Sequence, residues 1–252
     1  MSLSDYQWSY AGVICGPGTK YHVNSFEGLR SMPTLRTSDW ARLHHHGAFS
    51  GVDVLEGRTL TVMMTVVGTS AADLDATLSA LDAATVPLLT GALPLSFKLP
   101  NQVVRRVNAR ARKRSLAIDP TYKLCWAKVA VEFFCGDPRI LSDSVTTTVV
   151  AASGSITNAG NFGSRPVVTV TPSSSPVTIA NASDSGNIIV LAGSIPNPCI
   201  IDLELRTVID GTGANRFDCV ASSTTWTELV PGANALTITG GSMSVDWRSA
   251  WI

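Results

Sequence analysis

Leu60-Thr-Val-Met-Met-Thr-Val66 sets Leu60, Val62, Met64 and Val66 on one side and Thr61, Met63 and Thr65 on the other. A period of two is the mark of a half-buried strand. The period then changes. Ser70-Ala-Ala-Asp73 has the form of a capping box, with Asp in place of the usual Glu. Leu74, Leu78 and Leu81 follow at helical spacing, with Ala, Asp and Ser between them. The spacing predicts one amphipathic helix over about 71–84, ended before Pro87.

Outward from this pair the period of two returns. Leu93, Leu95, Phe97 and Leu99 alternate with Pro94, Ser96, Lys98 and Pro100. Cys125, Ala127, Val129, Val131 and Phe133 form one face of a long strand, and Ile201, Leu203 and Leu205 alternate with Asp202, Glu204 and Arg206. Met243, Val245, Trp247 and Trp251 line one side of the last segment. The second half carries no helical period, and clusters such as Pro172-Ser-Ser-Ser-Pro176 and Pro231-Gly-Ala-Asn234 punctuate it. Short strands at this spacing suggest a β-sandwich. The expected fold is mainly β, with a single helix in the first half.

The chain has 252 residues, 45% hydrophobic and 15% charged. That length gives one large or two ordinary domains at roughly 150 residues each. The seam falls near Ser142-Asp-Ser-Val-Thr-Thr-Thr148, giving expected domains of 1–145 and 146–252. The first holds 15 Lys+Arg against 12 Asp+Glu, the second 4 against 7. The two excesses cancel, so no net field draws the whole chain to nucleic acid or membrane. No apolar run reaches the ~18 residues of a membrane span. The opening Met1-Ser-Leu-Ser-Asp5 lacks the basic start and apolar core of a signal peptide, so assembly in a cytoplasm is expected. Cys15, Cys125, Cys135, Cys199 and Cys219 are odd in number and contain no CxxC, which reads as reduced thiols acting as small hydrophobes.

The residues that carry chemistry elsewhere are poorly placed here. His44-His45-His46 cannot all face one metal from a strand, because neighbours point to opposite sides. There is no Gly-x-Ser-x-Gly elbow, and neither Gly16-Pro-Gly18 nor Gly211-Thr-Gly213 opens a phosphate loop. Asp202 and Glu204 would share one strand face, which reads as an exposed charged face rather than a catalytic pair. No enzyme, catalytic residue, cofactor or metal is expected. The exception to this blandness is Arg105-Arg-Val-Asn-Ala-Arg-Ala-Arg-Lys-Arg114. Read as a strand, it places Arg106, Arg110, Arg112 and Arg114 on one face. Two readings stand for that row: a solvated or subunit-facing surface, or a face toward DNA or another polyanion. The tryptophans divide likewise. Trp247 and Trp251 have apolar parity, suiting core or interface, while Trp226 and Trp251 are also candidates for contact with a sugar or partner.

Read in order, Glu27-Gly-Leu-Arg-Ser-Met-Pro33, Arg36-Thr-Ser-Asp39, His46-Gly-Ala-Phe-Ser-Gly-Val-Asp53, Gly57-Arg58-Thr59 and Leu93-Pro-Leu-Ser-Phe-Lys-Leu-Pro100 resemble the N-terminal domain of siphovirus distal tail proteins, called Dit. The likeness continues through Ile201-Asp202, Arg206-Thr207-Val208, Trp226, Pro231-Gly-Ala-Asn234 and Val245-Asp-Trp-Arg-Ser-Ala-Trp251, covering nearly the whole chain. The resemblance implies a virion protein at the distal end of a long non-contractile tail. It implies an N-terminal sandwich, with one helix and a projecting hairpin, that builds a homohexameric ring on the tail tube protein. It also implies a galectin-like C-terminal sandwich that holds fibres, hub proteins or receptor-binding proteins. The central channel would pass the tape measure protein and then DNA, with no membrane insertion. A carbohydrate-binding module that attaches the tail tip to the host surface is the alternative. The histidine triplet and the arginine density at 105–114 map onto no part of the family pattern.

Overall fold

The computed structural model describes residues 3–118 and 120–252. They form two compact units, one reaching to Ile140 and including Ile252, the other Leu141–Trp251. Both are built mainly from antiparallel strands.

In the first unit the main strands are β1 (Trp8–Tyr10), β2 (Val13–Cys15), β3 (Tyr21–Glu27), β4 (Arg58–Val67), β5 (Leu93–Phe97), β6 (Arg105–Ala117) and β7 (Trp126–Cys135). Their order is β2-β1-β5-β6-β7-β4-β3. The strand β6 is the hinge of the arrangement. Its first half pairs with β5 and its second half with β7, so it belongs to both layers of the sandwich. Trp8 and Phe133 lie on strands three places apart, about 14 Å in a flat sheet. Their rings are 5.9 Å apart, because the sheet folds over on itself. Tyr10 against Phe133 at 4.9 Å and Phe26 against Phe97 at 5.9 Å complete an aromatic core. Leu60, Val62, Met64 and Val66 are all buried, as the alternation predicts.

The helix α1 runs Ala71–Ala84, within the expected span. Ser70 Oγ accepts from Asp73 N at 3.2 Å, the forward half of the capping box. The return half is shifted by one residue: Asp73 Oδ2 accepts from Thr69 N at 2.8 Å, not from Ser70. Asp73 also pairs with Lys20. That ammonium, then the Thr69 amide and hydroxyl, pull the Asp73 carboxyl down to about 2. Leu74, Leu78 and Leu81 are the buried face, and Tyr21 Oη donates to Thr77 O at 2.8 Å, tying β3 to the helix.

Between β3 and β4 an arm projects. Two short ladders, Leu35–Arg36 with Val54–Leu55 and Trp40–Ala41 with Ala48–Phe49, hold it together. Its root is fastened by Arg58, which is 3% exposed. Arg58 Nη1 donates to Gly28 O and Leu29 O, each at 2.7 Å, and to Ser31 O at 3.1 Å, while Nε donates to Pro138 O at 3.1 Å. Gly28 has φ +89°, and a Cβ there would lie 2.4 Å from Thr59 O, so the chain leaves β3 through a position only glycine fits.

The second unit contains β8 (Thr146–Val150), β9 (Ser153–Asn158), β10 (Val167–Pro172), β11 (Val177–Asn181), β12 (Asn187–Leu191), β13 (Cys199–Asp202), β14 (Thr207–Asp210), β15 (Gly232–Thr239) and β16 (Gly241–Trp247). They form a five-stranded sheet, β8-β16-β10-β13-β14, and a four-stranded one, β9-β15-β11-β12. Both contribute to one core that includes Val170, Ile179, Ile189, Ile201, Val208 and Met243. Inside it, Asn181 and Asn234 are fully buried and bonded to each other at 3.0 Å.

One alternation misleads. The strand through Ile201 stops at Asp202 and does not run to Leu205. Asp202 Oδ1 accepts from Glu204 N at 2.8 Å and Leu205 N at 2.9 Å, curling the chain into a turn. Asp202 and Glu204 therefore do not share a strand face, and Glu204 instead meets Arg165 at 3.3 Å. The five thiols are free, four of them buried. Burial raises Cys135 and Cys199 to about 12 and Cys15 further.

Candidate functional site

The basic strand is β6, and a β-bulge re-aims its residues. Arg106, opposite Ser96, and Arg110, opposite Phe134, sit on the outer face, while Val107, Ala109 and Ala111 are buried. The register then slips: Ala111 faces Phe133 but Lys113 faces Glu132, leaving Arg112 as the extra residue. Arg114 consequently lies opposite buried Val131, on the side that meets α1, and is itself exposed. The expected row of four is thus corrected to three, with Lys113 joining the outer face and Arg114 leaving it. Arg114 turns to the end of α1, where Nε meets Asp82 Oδ1 at 3.0 Å and Nη1 donates to Asp82 O at 3.0 Å and Thr85 Oγ1 at 2.6 Å.

The three that remain differ in freedom. Arg110 Nη2 donates to Leu88 O at 2.7 Å, bracing the loop after the helix. Arg112 is exposed and its guanidinium lies 3.6 Å from the centre of the Phe134 ring. Arg106 is half-buried, and its covered Nε has no hydrogen-bond partner. The outer face therefore carries positive charge, with Glu132 of β7 opposite Lys113.

His44, His45 and His46 sit at the exposed tip of the arm, which Arg42 N closes onto Gly47 O at 3.2 Å. Among the described residues no group of three His, Cys, Asp or Glu side chains is arranged to hold a metal. The arm exposes apolar side chains as well: Trp40 is 73% exposed, Leu43 93% and Phe49 60%.

A cleft of about 630 Å³ opens in the first unit between Tyr6–Trp8, His22–Phe26 and Phe97–Leu99. Trp8 Nε1 and Ser25 Oγ are both covered there and have no hydrogen-bond partner. Sequence reading did not find this cleft, since its three walls come from distant segments with no shared motif.

In the second unit Trp226 is half-buried against the core and stacked on Phe217 at 6.4 Å. It lines a polar hollow of about 260 Å³ with Arg165, Asp184, Asn187, Arg206, Thr227 and Glu228. Asp184 Oδ2 accepts from Asn187, Thr227 and Glu228 N. Burial opposes ionisation of Asp184, yet those three donors outweigh it and hold the carboxyl below its ordinary range. Trp251 is half-buried and lies outside that hollow.

The described residues thus form two folded β units, the first bearing a helix and an arm. No family model matches the chain, and no curated protein does. Solved structures do. The crystal structure of the Dit protein (gp 19.1) of phage SPP1, described as a paradigm of the hub adsorption apparatus in phages infecting Gram-positive bacteria, is 18% identical. The match covers 99% of this chain and 100% of that one, with a TM-score of 0.77. The phage P2 baseplate in its activated conformation with Ca matches at 9% identity over 97% and 98% of the two chains, TM-score 0.54. Its Sr counterpart matches at 10%, with a TM-score of 0.53. The chain thus has the mainly-β fold of the Dit protein along its whole length, and the resemblance read from the sequence meets its counterpart in three dimensions.

Proposed function

We propose that this chain is a structural protein of a phage tail tip, forming a homohexameric ring at the distal end of a long non-contractile tail. The observation that carries the reading is the full-length match to the Dit fold. Residues 1–145 build the ring and join the tail tube protein. Residues 146–252, taken as a galectin-like sandwich, hold tail-tip hub, fibre or receptor-binding proteins. The ring is assembled in the host cytoplasm, and its lumen passes the tape measure protein and then DNA. Arg106, Arg110 and Arg112 give the outer face of β6 the charge to meet a passing polyanion or an acidic neighbouring subunit. The protein is not an enzyme, and its work is done by geometry. Native mass spectrometry with negative-stain imaging of the purified protein tests this: six copies around an open centre support it. A different closed symmetry, or whole tails whose tip lacks the protein, refutes it.

A second reading has one observation in its favour. The hollow beside Trp226 combines an aromatic edge with Asp184, Asn187, Arg165 and Arg206, groups that hydrogen-bond sugar hydroxyls. On that reading the second unit is a carbohydrate-binding module of the tail tip. Calorimetric titration of the protein with host cell-wall polysaccharide, with Trp226→Ala as control, separates the two.

A further inference from the structure

Cys15, Cys125 and Cys135 lie in the first unit, and the remaining two thiols meet inside the second. Cys199 opens β13 in the five-stranded sheet, paired with Val170 on β10 and Asp210 on β14. Cys219 ends a single 3₁₀ turn, Phe217–Cys219, that is fastened to the other sheet. Cys219 O accepts from Ala192 N at 2.8 Å, and Val220 bridges to Leu191 at the end of β12. Both cysteines belong to one core, Cys199 0% exposed and Cys219 2%. Cys219 Sγ donates to Arg216 O at 3.0 Å, which leaves its lone pairs to accept from the Cys199 thiol. The two sulfurs are therefore neighbours, one from each sheet.

The turn that carries Cys219 is thinly held. From Gly211 to Asp218 every residue except Arg216 is exposed, and Cys219 is the one buried residue of the turn. A short segment with a single apolar anchor opens at low cost while the strands behind it stay closed. Opening it brings Cys219 to solvent and leaves Cys199 in place on β13.

We propose that Cys199 and Cys219 form a disulfide that staples the two sheets of the second unit when the protein meets a small disulfide oxidant such as glutathione disulfide. The Cys219 thiolate attacks one sulfur of the oxidant and expels a thiolate. The Cys199 thiolate then attacks Cys219 Sγ and expels the second. One S–S bond breaks and one forms, and the two cysteine protons leave with the oxidant as two thiols. Burial keeps both cysteines protonated, so the exchange is slow and waits on opening of the turn. Phe217, two residues before Cys219, stacks on Trp226 beside the polar hollow, so the staple also fixes that wall. The bond itself needs nothing from the tail-tip reading. Its timing, after release from a reducing cytoplasm, rests on that reading.

The test uses the full chain, purified reduced and incubated folded with glutathione disulfide. Free thiols are then alkylated in denaturant and the digest is read by mass spectrometry. The peptides of Cys199 and Cys219 should be recovered joined, and the melting temperature should rise by roughly 10 °C, falling back on reduction. Cys219→Ser keeps a hydroxyl that can donate to Arg216 O, so it should fold, yet show neither the joined peptide nor the rise. Cys125→Ser should show both. Alkylation of both Cys199 and Cys219 after the incubation overturns the proposal, as does glutathione left on Cys219 with Cys199 free. A joined peptide that appears only in unfolded protein, or that lowers the melting temperature, overturns it too. The timing is read separately, by alkylating the protein in intact producing cells and in released particles. Free thiols in the first and a bond in the second uphold it; a bond already present in the cells overturns the timing and leaves the staple standing.

Discussion

Arg114 Nε lies 3.0 Å from Asp82 Oδ1, joining the second half of β6 to the last turn of α1. The contact exists because a bulge at Arg112 rotates every later residue of the strand to the opposite side. A guanidinium at a helix C-terminus satisfies orphan carbonyls and opposes the helix dipole. Arg114→Ala should therefore lower stability by about 1 kcal/mol in urea denaturation, a modest loss because the pair is partly in water. Lys should recover only part of it, since Arg114 also reaches Thr85 Oγ1.

The outer face invites a different test. Replacing Arg106, Arg110 and Arg112 together with Ser removes three charges without entering the core. If the face lines a lumen, rings of unchanged mass form and DNA ejection slows. Loss of the ring in native mass spectrometry would instead place these residues between subunits. Arg112→Ser alone is the cleaner variant, because Arg110 also braces Leu88.

Arg58 carries the arm. It is buried, its guanidinium donates to four backbone carbonyls, and burial pushes its pKa down. Arg58→Ala leaves those carbonyls unpaired and should cost about 3–5 kcal/mol. Hydrogen exchange checks the location: protection should fall first at residues 28–31 and then along the arm.

Much of this was legible in the residues, and the exceptions share a cause. The strand through Leu60–Val66 and the helix after Ser70 follow from periodicity because each buries one face against one core. Periodicity carries no mark of a bulge, so alternation puts Arg114 with Arg106, Arg110 and Arg112, whereas one extra residue turns it toward α1. The run from Ile201 to Leu205 kept its alternation through a turn, because the Asp202 side chain, rather than a glycine, bends the chain there. The cleft is assembled from segments near residues 7, 24 and 98, and no local pattern joins them. The arm was expected only as the projecting hairpin that the family resemblance implies, and its exposed Trp40 and Phe49 are informative only once their exposure is known.

In the second unit, Asn234 is the test of a buried polar network. Its amide receives Asn181 Nδ2 and Val230 N, and donates to Val230 O and Gly232 O. Asn234→Leu keeps the volume but strands these partners in the core. A loss of about 3 kcal/mol is expected, from several unpaired groups at 1–3 kcal/mol each with partial relaxation. Two-step thermal unfolding, with only one step shifted, would confine the effect to this unit.

Asp73 should set part of the acid response. Its carboxyl is held at about 2, against 3.8 for the ordinary group, by Lys20 and Thr69. A carboxyl with a depressed folded pKa binds protons more readily when unfolded. Its contribution is therefore complete above about pH 4 and fades as the pH falls toward about 2. The group is at the surface, so the effect is screened and should shrink with added salt. Asp73→Asn removes the titration but retains an oxygen that can still accept from Thr69 N. Its stability curve should be flatter than wild type between pH 4 and 2, and the two curves should converge at the acid end. Parallel curves in chemical denaturation across that window would show that Asp73 acts only through the helix cap, and that the Lys20 pair contributes nothing measurable.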